Sequence, residues 1–169
     1  MVLVHCSGGK RPDWTRLSNT SEEHPDTLSS MGNLAATYSD QGKQKEAEAL
    51  QVLVMEKIKY LLGEDHPDTL PSMANLAITY YTQGKWKEAE ALQVLMVVKS
   101  KHLLGEEHPG TLTSMGDLVT IYYSQGKWNE AEALDVLVME KSKYLLGKEH
   151  LHILLSMGNL AAAYRNHGK

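Results

Sequence analysis

Apolar residues recur along the chain at alternating intervals of three and four. Met31, Leu34, Ala35 and Tyr38 fall at i, i+3, i+4 and i+7, a spacing that places them on one face of a helix. Pro25 suits the first helical position, where its missing N–H would have no partner anyway. His24 is then the expected N-cap, and Asp26 faces the positive end of the helix dipole. Gly42 ends this run and permits a left-handed turn. A second helix is predicted from about Lys45 to Leu62, with Ala47, Leu50, Val54 and Leu61 on its apolar face and Gly63 as its stop.

The same pattern returns. His-Pro-Asp-Thr-Leu stands at 24–28 and 66–70, followed by variants at 108–112 and 150–154. Gln-Gly-Lys stands at 41–43, 83–85 and 125–127, with His167-Gly168-Lys169 as a fourth copy. Glu-Ala-Glu-Ala-Leu stands at 46–50, 88–92 and 130–134. Every series advances by 42 residues, and segments 22–63 and 64–105 share about 30 identical positions, a degree of self-similarity that marks a repeat array. The units are 22–63, 64–105 and 106–147, plus a half unit at 148–169; residues 1–21 do not match the repeat. Pro71 opposes the pattern in unit two. It lacks an N–H and disfavours helical angles at Leu70, so this first helix is expected to start late or distorted.

Leu34-Ala35-x-x-Tyr38, Gly42 and Ala47 resemble the tetratricopeptide pattern. Leu76-Ala77-x-x-Tyr80, Gly84 and Ala89 repeat it, as do Leu160-Ala161-x-x-Tyr164 and Gly168. Unit three keeps Leu118, Tyr122, Gly126 and Ala131 but carries Val119 at the small position. The common tetratricopeptide unit has 34 residues. The longer unit here, with its Leu-Leu-Gly-Glu linker, is similar to the kinesin light chain variety and to 42-residue repeats of fungal NACHT and NB-ARC proteins. The resemblance implies an all-α, right-handed α-solenoid of antiparallel helix pairs, with the first helices lining a concave face. Physics points the same way: neither helix can bury its apolar face alone, and stacking pair on pair makes a continuous core.

Near-identical repeats carry an internal control, because shared positions mostly serve the shared fold. Positions that vary on the first helix include Ala36/Ile78/Thr120/Ala162, Ser39/Tyr81/Tyr123/Arg165 and Asp40/Thr82/Ser124/Asn166. They lie away from the Leu-Ala-x-x-Tyr stripe, where they either line the concave groove or drift as ordinary surface. Asn33, Asn75 and Asn159 precede the motif leucine, with Asp117 in unit three. The resemblance implies that such an asparagine hydrogen-bonds a peptide backbone, which suits an amide that donates and accepts; a helix-packing amide is the alternative. Ionised Asp117 only accepts, so unit three is expected to bind differently. The candidate concave face is therefore Asn33, Asn75, Ile78, Tyr81, Asp117, Thr120, Tyr123, Asn159 and Arg165. Arg165 is the one basic residue among them, which argues against a clamp for a C-terminal carboxylate and for a neutral, partly aromatic groove. Trp86 and Trp128, after Gly-Lys, are expected to be core.

Charge and composition narrow the function classes. The net charge is −4, with basic and acidic residues interleaved, which leaves no basic footprint for nucleic acid and no polybasic membrane patch. No apolar run approaches the length needed to span a bilayer. Cys6 is the only cysteine, which suits a reducing compartment, and a cytoplasmic location is expected. His24, His66 and His108 fall in different linkers, too far apart to share a metal ion; capping is the better reading. No phosphate loop or nucleophile–base motif is visible, so no enzyme, cofactor or metal is expected, and the expected partner is a protein or peptide.

The second helices are unusually apolar. Val52-Leu53-Val54-Met55, Val94-Leu95-Met96-Val97-Val98 and Val136-Leu137-Val138-Met139 each wrap most of a turn, where a surface helix should show a polar face. Either a deep core between repeats covers them, or they form a second contact surface. The half unit leaves Met157, Leu160 and Tyr164 short of packing partners, while solenoids normally carry polar caps; either the chain is part of a longer array or this end packs on another molecule. Leu53, Leu95, Leu137, Met157, Leu160 and Tyr164 are the candidates for self-association, with a homodimer as the expected product. A structural or sensor array detached from a larger signalling NTPase is the alternative to a peptide-binding scaffold.

Overall fold

The computed structural model describes residues 24–146. Six helices follow in order: α1 Pro25–Asp40, α2 Gln44–Leu62, α3 Thr69–Thr82, α4 Trp86–Leu104, α5 Pro109–Ser124 and α6 Trp128–Leu146. The extensive helix–helix contacts all join helices consecutive in the chain, the signature of a stack that grows in one dimension. This is an all-α solenoid of antiparallel pairs. The half unit at 148–169, and with it Met157, Asn159, Leu160, Tyr164 and Arg165, lies outside the described residues, as does 1–21.

Each recurring motif has a physical job. The imidazole Nδ1 of His24, His66 and His108 accepts from the backbone N–H two residues on, at 3.3, 3.2 and 3.0 Å. In α1 and α5 this satisfies one of the helix's orphan donors. Buried Thr69 and Thr111 then donate their hydroxyls back to the linker carbonyls of Gly63 and Gly105, at 3.1 and 2.7 Å. Gly105 itself sits at φ 96°, ψ 157°, a region open essentially to glycine alone.

The Gln-Gly-Lys turn is equally explicit. Gly84 has φ 72°, which lets Lys85 N–H reach back to the Tyr80 carbonyl at 2.9 Å and close the helix in a Schellman-type cap. The Lys85 ammonium lies over the Tyr80 ring and pairs with Glu48 of the preceding unit. The amide of Gln83 donates to the Gln44 carbonyl at 2.9 Å. Unit three repeats all of this: Lys127 covers Tyr122 and pairs with Glu90, and Gln125 donates to the Trp86 carbonyl. The turns that end α3 and α5 therefore also staple their units to the ones before.

The motif's small positions lie in the core. Ala35, Ala47, Ala89, Ala131 and Val119 are fully buried. Leu112, Met115 and Val138 form a core with Val97 and Leu134 packed against it. Leu76 and Leu118 are buried, whereas Leu34, their counterpart in unit one, is 44% exposed.

Pro71 has the predicted effect. α3 begins at Thr69, whereas α1 and α5 begin at Pro25 and Pro109. Leu28 and Leu112 bond to the capping histidine carbonyl, while Leu70 bonds to the Pro67 carbonyl at 3.1 Å in a tighter turn. His66 Nδ1 still holds the Asp68 N–H of the turn before the helix, and α3 itself carries no side-chain cap.

Candidate protein-binding groove

The varying positions of the first helices share one exposed side. Asn33, Ala36, Asn75, Asp117 and Thr120 are exposed, Ile78 is 59% exposed, and Tyr81 and Tyr123 are half-buried. Asn33 and Asn75 are thus not buried between helices. Between α3 and α5, four of them border a cavity of about 200 Å³, with Ala77, Ile78 and Tyr81 on one wall, Asp117, Thr120 and Ile121 on the other, and Gln93 contributed by α4.

The polar groups of the cavity are held in place. Gln93, buried on α4, donates to the Ser114 carbonyl at 2.9 Å. Tyr81 reaches from α3 to Ser124 on α5 at 3.0 Å, a bridge between the two helices. Desolvation pushes the Asp117 carboxyl up to about 6. Its surface opens into the groove, yet helices surround it on the other sides, so the charge is poorly hydrated while the residue remains accessible. Unit three thus brings a carboxyl group to this part of the face, where no described basic residue is paired with it.

The tryptophans depart from expectation. Trp86 is 42% exposed and borders a shallow depression of about 470 Å³ with Gly84, Lys85 and Gln125. Trp128 is half-buried and packs on Tyr123 with ring centroids 5.9 Å apart. Each is the first residue of its helix, so its ring falls over the corner of the turn rather than between layers. Buried Gln51 and Gln93 lie outside every sequence expectation. Gln51 accepts from the Thr79 hydroxyl at 2.6 Å, and a polar residue flanked by apolar ones on a second helix is the only mark such positions leave in a sequence.

The second helices turn part of their apolar surface outward. Val54, Met96 and Val138 are buried, but Leu53, Leu95 and Leu137 are 44%, 42% and 38% exposed and Val98 is 58% exposed. A deep inter-repeat core does not cover these leucines. Among the described residues, no cluster of three His, Cys, Asp or Glu side chains could hold a metal ion, and no helix is long and apolar enough to cross a membrane.

A tetratricopeptide repeat model matches residues 27–68, 69–110 and 111–152. The chain belongs to the tetratricopeptide repeat family. Among solved structures, this TPR array is similar to the nearly identical TPR-like repeats of a putative kinesin light chain from Podosopora anserina. The two are 32% identical with a TM-score of 0.76, over 92% of this chain and 72% of that one. A point-substituted form of the same protein gives a TM-score of 0.77 at the same identity and coverage. BtubC (BKLC) from P. vanneervenii, 19% identical, shares the fold with a TM-score of 0.76 over 91% of this chain and 62% of its own. No curated protein matches the chain.

Proposed function

We propose that this TPR array is a protein–protein interaction scaffold that holds an extended segment of its partner along the first-helix face. Repeats of this family generally mediate such contacts. One observation carries the reading for this chain. In repeats otherwise close to copies of one another, positions that change on the first helices, at 78, 81, 117 and 120, gather around one groove. A fold needs its packing residues repeated; a groove for a partner of non-repeating sequence needs the opposite. Exposed Asn33 and Asn75 supply amides that can donate to and accept from a partner backbone, and Ile78 and Tyr81 supply apolar anchors.

The test is partner capture with site-matched controls. Partners retained by the full chain should be lost on Asn75→Ala combined with Tyr81→Ala and kept on Leu95→Ala. Capture that survives the groove changes and disappears with Leu95→Ala would transfer the binding surface to the second helices.

A second reading has its own observation. Leu53, Leu95 and Leu137 recur every 42 residues and are all exposed, an apolar row that a second copy of the chain could cover. Sedimentation over a range of concentrations decides it. A dimer that Leu95→Glu dissociates supports this row as the contact; a monomer at every concentration removes it.

A further inference from the structure

We propose that the cavity between α3 and α5 receives one lysine or arginine side chain of the bound segment, with Asp117 as its counter-ion. The inference rests on the groove-binding reading above and names the chemistry that part of the groove selects.

The cavity has two kinds of wall. Ala74, Ala77, Ile78 and Ile121 give it an apolar side, against which the long aliphatic stem of a cationic side chain packs while its head reaches polar groups. The other side is a set of hydrogen-bond acceptors. The Thr120 hydroxyl donates to the Gly116 carbonyl at 3.2 Å. The Ser124 hydroxyl donates to the Thr120 carbonyl at 3.0 Å, so its contact with Tyr81 uses the tyrosine's hydrogen. A hydroxyl has only one hydrogen to give, and both Tyr81 and Thr120 have committed theirs. Gln93 has directed its amide nitrogen to the Ser114 carbonyl, which leaves its oxygen as an acceptor and one N–H over.

What faces an incoming group is therefore one carboxylate, one amide oxygen and two hydroxyl oxygens with lone pairs free, against a single uncommitted amide N–H. Asp117 has no hydrogen bond or ion pair with any described residue, and desolvation is the sole influence on its carboxyl. An acceptor-rich hollow with an apolar flank suits an ammonium with three donors or a guanidinium with five. It opposes a carboxylate, which would meet Asp117 with no cation to receive it. The equivalent positions 33, 75 and 159 hold neutral asparagine, so the charge selection is local to unit three.

The experiment selects binders to the full chain from a random twelve-residue phage-displayed peptide library and measures the winners as synthetic peptides. Asp117→Asn is a safe probe, because other units carry asparagine at the same register. The expected result is a lysine or arginine fixed at one peptide position. Its replacement by glutamine and the Asp117→Asn change should each weaken binding about tenfold, the order for a charge-assisted pair in a half-open groove. The double change should cost no more than either alone, the mark of a direct pair. Peptides that depend on Ile78 and Tyr81 but show no fixed cation, or whose cation is insensitive to Asp117→Asn, overturn this inference and leave the groove reading standing. Failure to select any peptide that depends on Ile78 or Tyr81 overturns both.

Discussion

At the scale of single residues, the histidine caps are the clearest case of local chemistry producing local structure. His108 accepts from the Gly110 N–H through Nδ1, and an N-cap of this kind contributes about 1 kcal/mol. His108→Ala should lower unfolding free energy by about that amount in chemical denaturation, whereas His108→Asn, which keeps an acceptor, should cost little. Asp117 gives a pH prediction. Its carboxyl is raised from 3.8 to about 6 in the fold, so the native state holds this proton more tightly than the unfolded state. Its contribution to stability is thus greatest below about pH 4 and is lost as pH rises through about 6. Asp117→Asn should therefore gain about 1 kcal/mol relative to the parent at pH 7, a figure reduced for the residue's contact with solvent, and nothing at pH 3. Paired unfolding curves at the two pH values check it. These residues are unequally legible in the sequence. The caps can be read because histidine, proline and threonine recur in fixed order. The electrostatics of Asp117 cannot, because desolvation depends on helices that come together only in the stack.

At the scale of helices, the one irregular start has an identifiable cause. Pro71 takes an N–H from the first turn of α3, and the helix begins at Thr69. Pro71→Ser installs the residue that stands at the matching site, Ser29, in unit one. It should let the helix begin at Pro67, with the Leu70 amide bonded to the His66 carbonyl; slower hydrogen exchange at Leu70 would report it. The limits of helical periodicity show at this scale too. The 3–4 spacing locates the helices and their turns, because apolar stripes and glycine stops are local features. It misplaces Trp86, since a repeated aromatic reads as core wherever it falls, although the first residue of a helix overhangs a turn. It also misses Gln51 and Gln93, because a polar residue is ordinarily assigned to the surface and only the packed α2–α3 and α4–α5 contacts supply their partners.

At the scale of the whole molecule, the turns after α3 and α5 are bonded to the unit before them. Lys85 with Glu48 and Lys127 with Glu90 are part of that link, and hydrogen bonding from each lysine, opposed by burial, holds these glutamates below the ordinary carboxylate range. Stability from these pairs is present above that range and is lost as pH falls through the depressed values. Glu90→Ala should cost about 1 kcal/mol at low salt and less at high salt, and should broaden the unfolding transition, because coupling between neighbouring repeats is what makes a solenoid unfold as a unit. The coupled stack also carries the functional argument. It holds α3 and α5 side by side at a fixed spacing, so that residues from different units converge on one groove. Site-specific photo-crosslinking tests that claim most directly, with a benzophenone amino acid placed at Ile78 in the groove or at Leu95 on the second helix. The account predicts partner crosslinks from position 78 and none from position 95; crosslinks from position 95 alone would contradict it.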